Sequence, residues 1–150
     1  MMAGYQHILL TTDFTKCSQQ VAQRARDLAN LYHARLSLLH VVDNLPIADS
    51  VYGPVIPFDV DITDQLVETA GKRLRAMADA LGIPSDSQSL EVGSPQLEII
   101  RVAEESEVDL IVVGSHGRHG LGLLLGSTAN AVLHHAKCDV LAVRLKDNEE

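Results

Sequence analysis

The sequence predicts an α/β protein, a doubly wound, open, parallel five-stranded sheet with helices on both faces, Rossmann-like in layout. Three observations predict it. Five short aliphatic runs alternate with four amphipathic stretches, giving the order β-α-β-α-β-α-β-α-β, and right-handed crossovers between such units build a parallel sheet. The runs are apolar at consecutive positions, as strands covered on both faces are. Hydrophobic residues make up 46% of the 150 residues and aromatic ones only 3%, so the core is aliphatic. One domain over residues 1–150 is expected, with a charged, frayed tail at 146–150.

The elements follow in chain order. Ile8-Leu9-Leu10 opens the first strand, which stops at Thr12-Asp13. Residues 16–32 have a helical period, with Val21, Ala25, Leu28, Ala29 and Tyr32 on one face. Residues 36–42 form a strand apolar on both sides. Residues 44–60 carry Pro46, Gly53, Pro54 and Pro57 and read as irregular, a cover or a contact loop. Ile62, Leu66, Ala70, Leu74, Met77 and Leu81 mark a long helix that Gly82 and Pro84 end. Residues 88–92 are a weaker strand. Ser94-Pro95 suits a helix start, and Leu97, Ile100 and Ala103 are the expected buried face. Residues 109–113 form the fourth strand. A glycine-rich segment follows it, a helix begins near Ser127, and residues 140–145 form the last strand.

The net charge is −8. An acidic chain lacks the positive field that draws phosphate backbones and anionic lipid, so neither nucleic acid nor membrane is an expected partner. Cys17 and Cys138 are too few for a disulfide framework and fit a reducing compartment. No signal peptide or membrane-length run is visible, and a cytoplasmic location is expected.

Chemistry concentrates in two places. Thr12-Asp13-Phe14-Thr15 leaves the first strand at its carboxyl end, and residues 114–128, GSHGRHGLGLLLGST, leave the fourth. Glycines let a ligand approach the backbone, and a helix N-terminus adds partial positive charge; together they suit a phosphate. Arg118 is placed to add a charge-assisted contact or to face solvent. The segment is not a P-loop, because no Gly-Lys-Ser/Thr follows, and it is not a nucleophile elbow. The glycines at 120, 122 and 126 lack the acidic partner of a dinucleotide fingerprint, since Asp139 stands at the wrong end of the next strand.

Five stretches taken together resemble the universal stress protein family, of the UspA kind. They are Tyr5-Gln6-His7-Ile8-Leu9-Leu10-Thr11-Thr12-Asp13, Leu38-Leu39-His40-Val41-Val42-Asp43, Val113-Gly114-Ser115-His116-Gly117, Leu125-Gly126-Ser127-Thr128 and Cys138-Asp139-Val140-Leu141-Ala142-Val143-Arg144. The resemblance implies the strand order 3-2-1-4-5, which brings Asp13 and Gly114 to one crevice at the switch point. It implies an adenosine nucleotide, ATP or AMP with Mg. Asp13 would face the base or the metal and Val41 would border the adenine. Gly114, Gly117, Gly126, Ser127 and Thr128 would hold ribose and phosphates. It also implies a stress-response homodimer, paired through the last strand at 139–145. One departure stands out. Eight residues separate Gly117 from Gly126, one fewer than in ATP-binding members and similar to UspA proteins, some of which do not bind ATP. Those nonbinding members replace the glycines, which this chain keeps.

Plainer readings stand beside these. Asp13 suits a cap for the helix that follows, and the glycines suit a flexible connection. His116 and His119 are spaced for a metal, but no cysteine or carboxylate completes a set. Cys17 lies near a helix start, where a thiolate is favoured, or packs as a small apolar residue. His40 is expected as a hydrogen-bonded residue of core or crevice. Two alternatives to a nucleotide-binding module remain: a slow ATP hydrolase, for which no general base is evident, and an interaction protein with an empty crevice.

Overall fold

The computed structural model describes residues 4–43, 58–115 and 125–144, the stretch 58–63 by backbone only. Five strands, β1 (His7–Thr11), β2 (Arg35–Asp43), β3 (Gln88–Gly93), β4 (Leu110–Gly114) and β5 (Asp139–Val143), form one sheet in the order 3-2-1-4-5. Every pairing is parallel. The helices are α1 (Ser18–Tyr32), α2 (Phe58–Leu81), α3 (Pro95–Glu105) and α4 (Ser127–His135), with a short 3-10 turn at Ser85–Ser87 that the sequence did not signal.

Strand alternation sorts the aliphatic residues onto two faces. Ile8, Leu10, Leu36, Leu38, Leu110 and Val112 pack with Val21, Ala25 and Ala29 of α1 and Leu74 and Ala78 of α2. Leu9, Leu39, Val41, Ile111 and Val113 pack with Ile99, Val102 and Ala103 of α3 and Ala129 and Val132 of α4. The chain therefore leaves β1 toward one face of the sheet and β4 toward the other. β1 and β4 are neighbours, so a crevice opens between their carboxyl ends.

Three details differ from expectation. Helix α2 already begins at Phe58, so residues 58–60 are helical and only 44–57 of the expected irregular stretch fall outside the described residues. Its 24 residues span about 36 Å, longer than the strands beneath it, and Leu66 is left 52% exposed. In α3 the buried stripe is Ile99, Val102 and Ala103, while Leu97 is 66% exposed. That rotation lets Arg101 reach Glu91 on β3 at 3.0 Å as well as Glu98 at 2.6 Å and Glu105 at 2.9 Å. Ser94 is the N-cap residue of α3 in extended conformation, but its side chain makes no capping bond.

Three helices end alike. A left-handed residue follows, and the next amide reaches back five residues: Ala34 to Ala29, Ile83 to Ala78, and Val108 to Ala103. The left-handed residues are His33 (φ 56°), Gly82 (φ 71°) and Glu107 (φ 56°). Only Gly82 adopts this conformation without steric penalty. Replacing Glu107→Gly removes a Cβ clash while keeping the motif, and should stabilise the fold by about 0.5–1 kcal/mol. Urea titration checks this; a lowered midpoint contradicts it.

Candidate nucleotide crevice

The carboxyl end of the sheet is tied together at the switch point. Leu10 pairs with Val112 in register, so Asp13 and Ser115, each three residues further on, leave their strands at one level. Ser115 N–H donates to Val143 O at 2.9 Å, and Ser115 O accepts from Gly126 N–H at 2.6 Å. The latter bond joins the two ends of the glycine-rich segment and sets the start of α4 beside the end of β4. Gly126 is the N-cap residue of α4, extended at φ −66° and ψ 159°, and has no side chain with which to cap the helix. The leading amides of a helix have no intrahelical acceptor, so Ser127 and Thr128 lie in an N–H-rich, electropositive turn at the crevice.

On the other side, Thr12 is buried and fixed. Its N–H donates to Leu39 O at 3.0 Å, and its carbonyl accepts from His40 Nδ1 at 2.7 Å. A carbonyl only accepts, so His40 Nδ1 carries the proton. Asp13 is exposed and closes a local turn, Oδ1 accepting from Thr15 N–H at 3.1 Å and Thr15 Oγ1 at 2.8 Å. It is not the cap of α1. That position belongs to Cys17, without a side-chain bond, because the chain runs four residues beyond Asp13 before the helix turns. Val41 is 8% exposed and packs into the α3/α4 side of the core, next to the crevice by register.

Of the sequence-predicted residues, Asp13, Gly114, Gly126, Ser127 and Thr128 thus lie along the carboxyl edge of β1 and β4, with Val41 beneath. Gly117 and Arg118 lie outside the described residues, as do His116 and His119. Phe14 and Arg73 were missed. The Phe14 ring lies 4.3 Å from the His40 ring and 5.7 Å from the Arg73 guanidinium. Nothing in the spacing of α2 marks Arg73, which reaches the crevice only because α2 packs over β2. Two hollows among the described residues, about 200 and 260 Å³, lie at the opposite end of the sheet. Glu104 and Glu107 line the first, and the second is formed around Tyr5 and Tyr32. Neither offers an anion what α4 offers.

Two histidines are buried enough to resist charging. Desolvation lowers the pKa of both His40 and His7 below 6.5, outweighing the hydrogen bonds to Thr12 and Ser106. The unfolded chain takes up these protons near 6.5 and the folded chain only at lower pH. Between those values the unfolded state holds more protons, so stability rises with pH. Melting temperature should fall as pH drops from about 7.5 to about 5.5. His40→Gln, which keeps an N–H for Thr12 O, should flatten that fall; an unchanged slope in scanning fluorimetry contradicts the assignment.

The universal stress protein family model matches residues 4–144. Universal stress protein A homolog 2 of Coxiella burnetii is 45% identical over 146 residues, covering 97% of this chain and 99% of that protein. This chain belongs to the universal stress protein family. Among solved structures, the protein MJ0577, which in Methanocaldococcus jannaschii is a universal stress protein, superposes with a TM-score of 0.80 at 28% identity. The match covers 96% of this chain and 99% of that one. A universal stress protein solved in complex with cAMP matches with a TM-score of 0.60 at 26% identity, covering 94% of this chain and 98% of that one. The family's α/β architecture is the one described above.

Proposed function

We propose that this protein is a cytoplasmic stress-response module that binds an adenosine nucleotide, ATP or AMP, in the crevice between β1 and β4. The observation that carries the reading is the Ser115–Gly126 bond, which sets the glycine-led start of α4 against the end of β4. Phosphate oxygens would accept from the leading amides of α4, where Gly126 presents no side chain, and from the backbone at Gly114. Val41 would border the adenine. The relative in complex with cAMP supports an adenosine ligand. Asp13 would meet the base, or a magnesium ion held mainly by phosphate oxygens and water, for which one exposed carboxylate suffices. Gly117 and Arg118 complete the proposed set.

The reading is tested by acid release of small molecules from the purified protein, followed by mass spectrometry and by thermal shift with Mg-ATP or AMP. A near-stoichiometric adenosine nucleotide, or a clear upward shift, supports it. Finding neither favours an interaction protein with an empty crevice, consistent with the shortened glycine spacing. Phosphate release no faster than from Gly126→Asp would end the hydrolase alternative.

The proposed homodimer uses β5, which among the described residues pairs with β4 on one side only. Its residues Val140, Leu141 and Ala142 are half-buried in the single chain, and an apolar edge strand favours being covered. A stable monomer at micromolar concentration in size-exclusion with light scattering contradicts the dimer.

A further inference from the structure

We infer that Phe14, His40 and Arg73 form a positioning column through which helix α2 fixes Asp13 and so sets the affinity of the crevice. The inference takes its ligand from the nucleotide reading and its geometry from this chain alone.

Phe14 has φ 60°, a left-handed conformation that a bulky residue adopts only when its surroundings impose it. The imposing contacts are identifiable. Phe14 N–H donates to Thr12 Oγ1 at 3.1 Å, and Thr12 is itself held by Leu39 and His40. The Phe14 ring packs on the α1/α2 side of the core and lies against His40, tilted by 36°. Arg73 approaches the same ring from α2 at 5.7 Å, within range of a cation–π contact. Strand alternation puts His40 on the side that α2 covers, opposite Val41. Asp13 and Arg73 are the charged groups that bear on the His40 imidazole, with opposite sign.

Asp13 therefore stands between two fixed residues, Thr12 behind it and Phe14 ahead of it. A glycine at position 14 would reach the same φ with no ring to hold it, and the turn would lose its tie to α2. Arg73, His40 and Phe14 need not touch the ligand. They determine where the Asp13 carboxylate is when the ligand arrives.

The test uses Phe14→Gly, Phe14→Tyr and Arg73→Gln in the full chain, with Mg-ATP and AMP titrations and amide shifts of the ligand-free protein. Phe14→Gly should weaken binding about tenfold, Arg73→Gln about threefold, and Phe14→Tyr should stay within about twofold. Without ligand, Arg73→Gln should move the Asp13 and Thr15 amide resonances while leaving the melting temperature nearly unchanged, since Arg73 is exposed. Binding equal to the parent in both Phe14→Gly and Arg73→Gln overturns the column, and so do unmoved Asp13 and Thr15 amides. If the parent protein binds neither nucleotide, the nucleotide reading fails by itself. The ligand-free shifts then decide the column, supporting it if moved and overturning it if not.

Discussion

Gly126→Asp is expected to weaken Mg-ATP and AMP binding by about a hundredfold or more while leaving the protein as stable as before or more so. The two effects have opposite signs because they act on different states. Gly126 occupies φ −66° and ψ 159° at the N-cap of α4, a region open to every residue. Aspartate there can accept from the leading amides of α4 and complements the helix dipole, contributing about 0.5–1 kcal/mol to stability. The same carboxylate takes the amides that a phosphate would use and adds a like charge. At about 4 Å and an effective dielectric near 20 that repulsion is about 4 kcal/mol, enough for the stated loss. Calorimetric titration and thermal melting of the one variant separate the effects. Lost binding together with a collapsed melting temperature would mean damage to the fold; unchanged binding would place the phosphate elsewhere.

Leu10→Ala is expected to be the most destabilising single truncation considered, at about 3 kcal/mol. Leu10 has no exposed surface and sits on the central strand, paired to Leu38 on one side and Val112 on the other. It lies in the core cluster that α1 and α2 close over the hydrogen-bonded strands, so the hole cannot collapse cheaply. The midpoint of urea unfolding should fall with little change in slope, and the melting temperature should drop by about 6–12 °C. Leu97→Ala is the contrast: at 66% exposure it should change stability by under about 0.5 kcal/mol. Equal costs for the two leucines would contradict the assignment of the core.

Strand positions were legible because parity alone decides which face an aliphatic residue serves. Ile8 and Leu10 go one way and Leu9 the other, without further information. Helix faces were less so. In α3 an apolar stripe at Leu97, Ile100 and Ala103 competes with Ile99, Val102 and Ala103, and the ties of Arg101 to Glu91, Glu98 and Glu105 accompany the second. Helix ends show the same limit. Gly82 announces its left-handed turn, whereas His33 and Glu107 adopt it because the apolar residues after them, Ala34 and Val108, pack into the core and draw the chain back.

At the crevice, the glycines, Ser127 and Asp13 could be read from residue type and their place after a strand. Asp13 as a turn-closing rather than capping residue could not, since that depends on where α1 starts. Phe14 and Arg73 left no trace because their relation is tertiary. Position 14 has no left-handed preference of its own, and residue 73 is one of several cations on an exposed helix face.

Amide chemical-shift mapping of the protein titrated with AMP tests the central claim most directly. Perturbations clustered at Asp13, Gly114, Ser115 and residues 126–128 are the predicted result. Perturbations confined to the opposite end of the sheet, around Glu104 and Cys138, or none at saturating ligand, would contradict it.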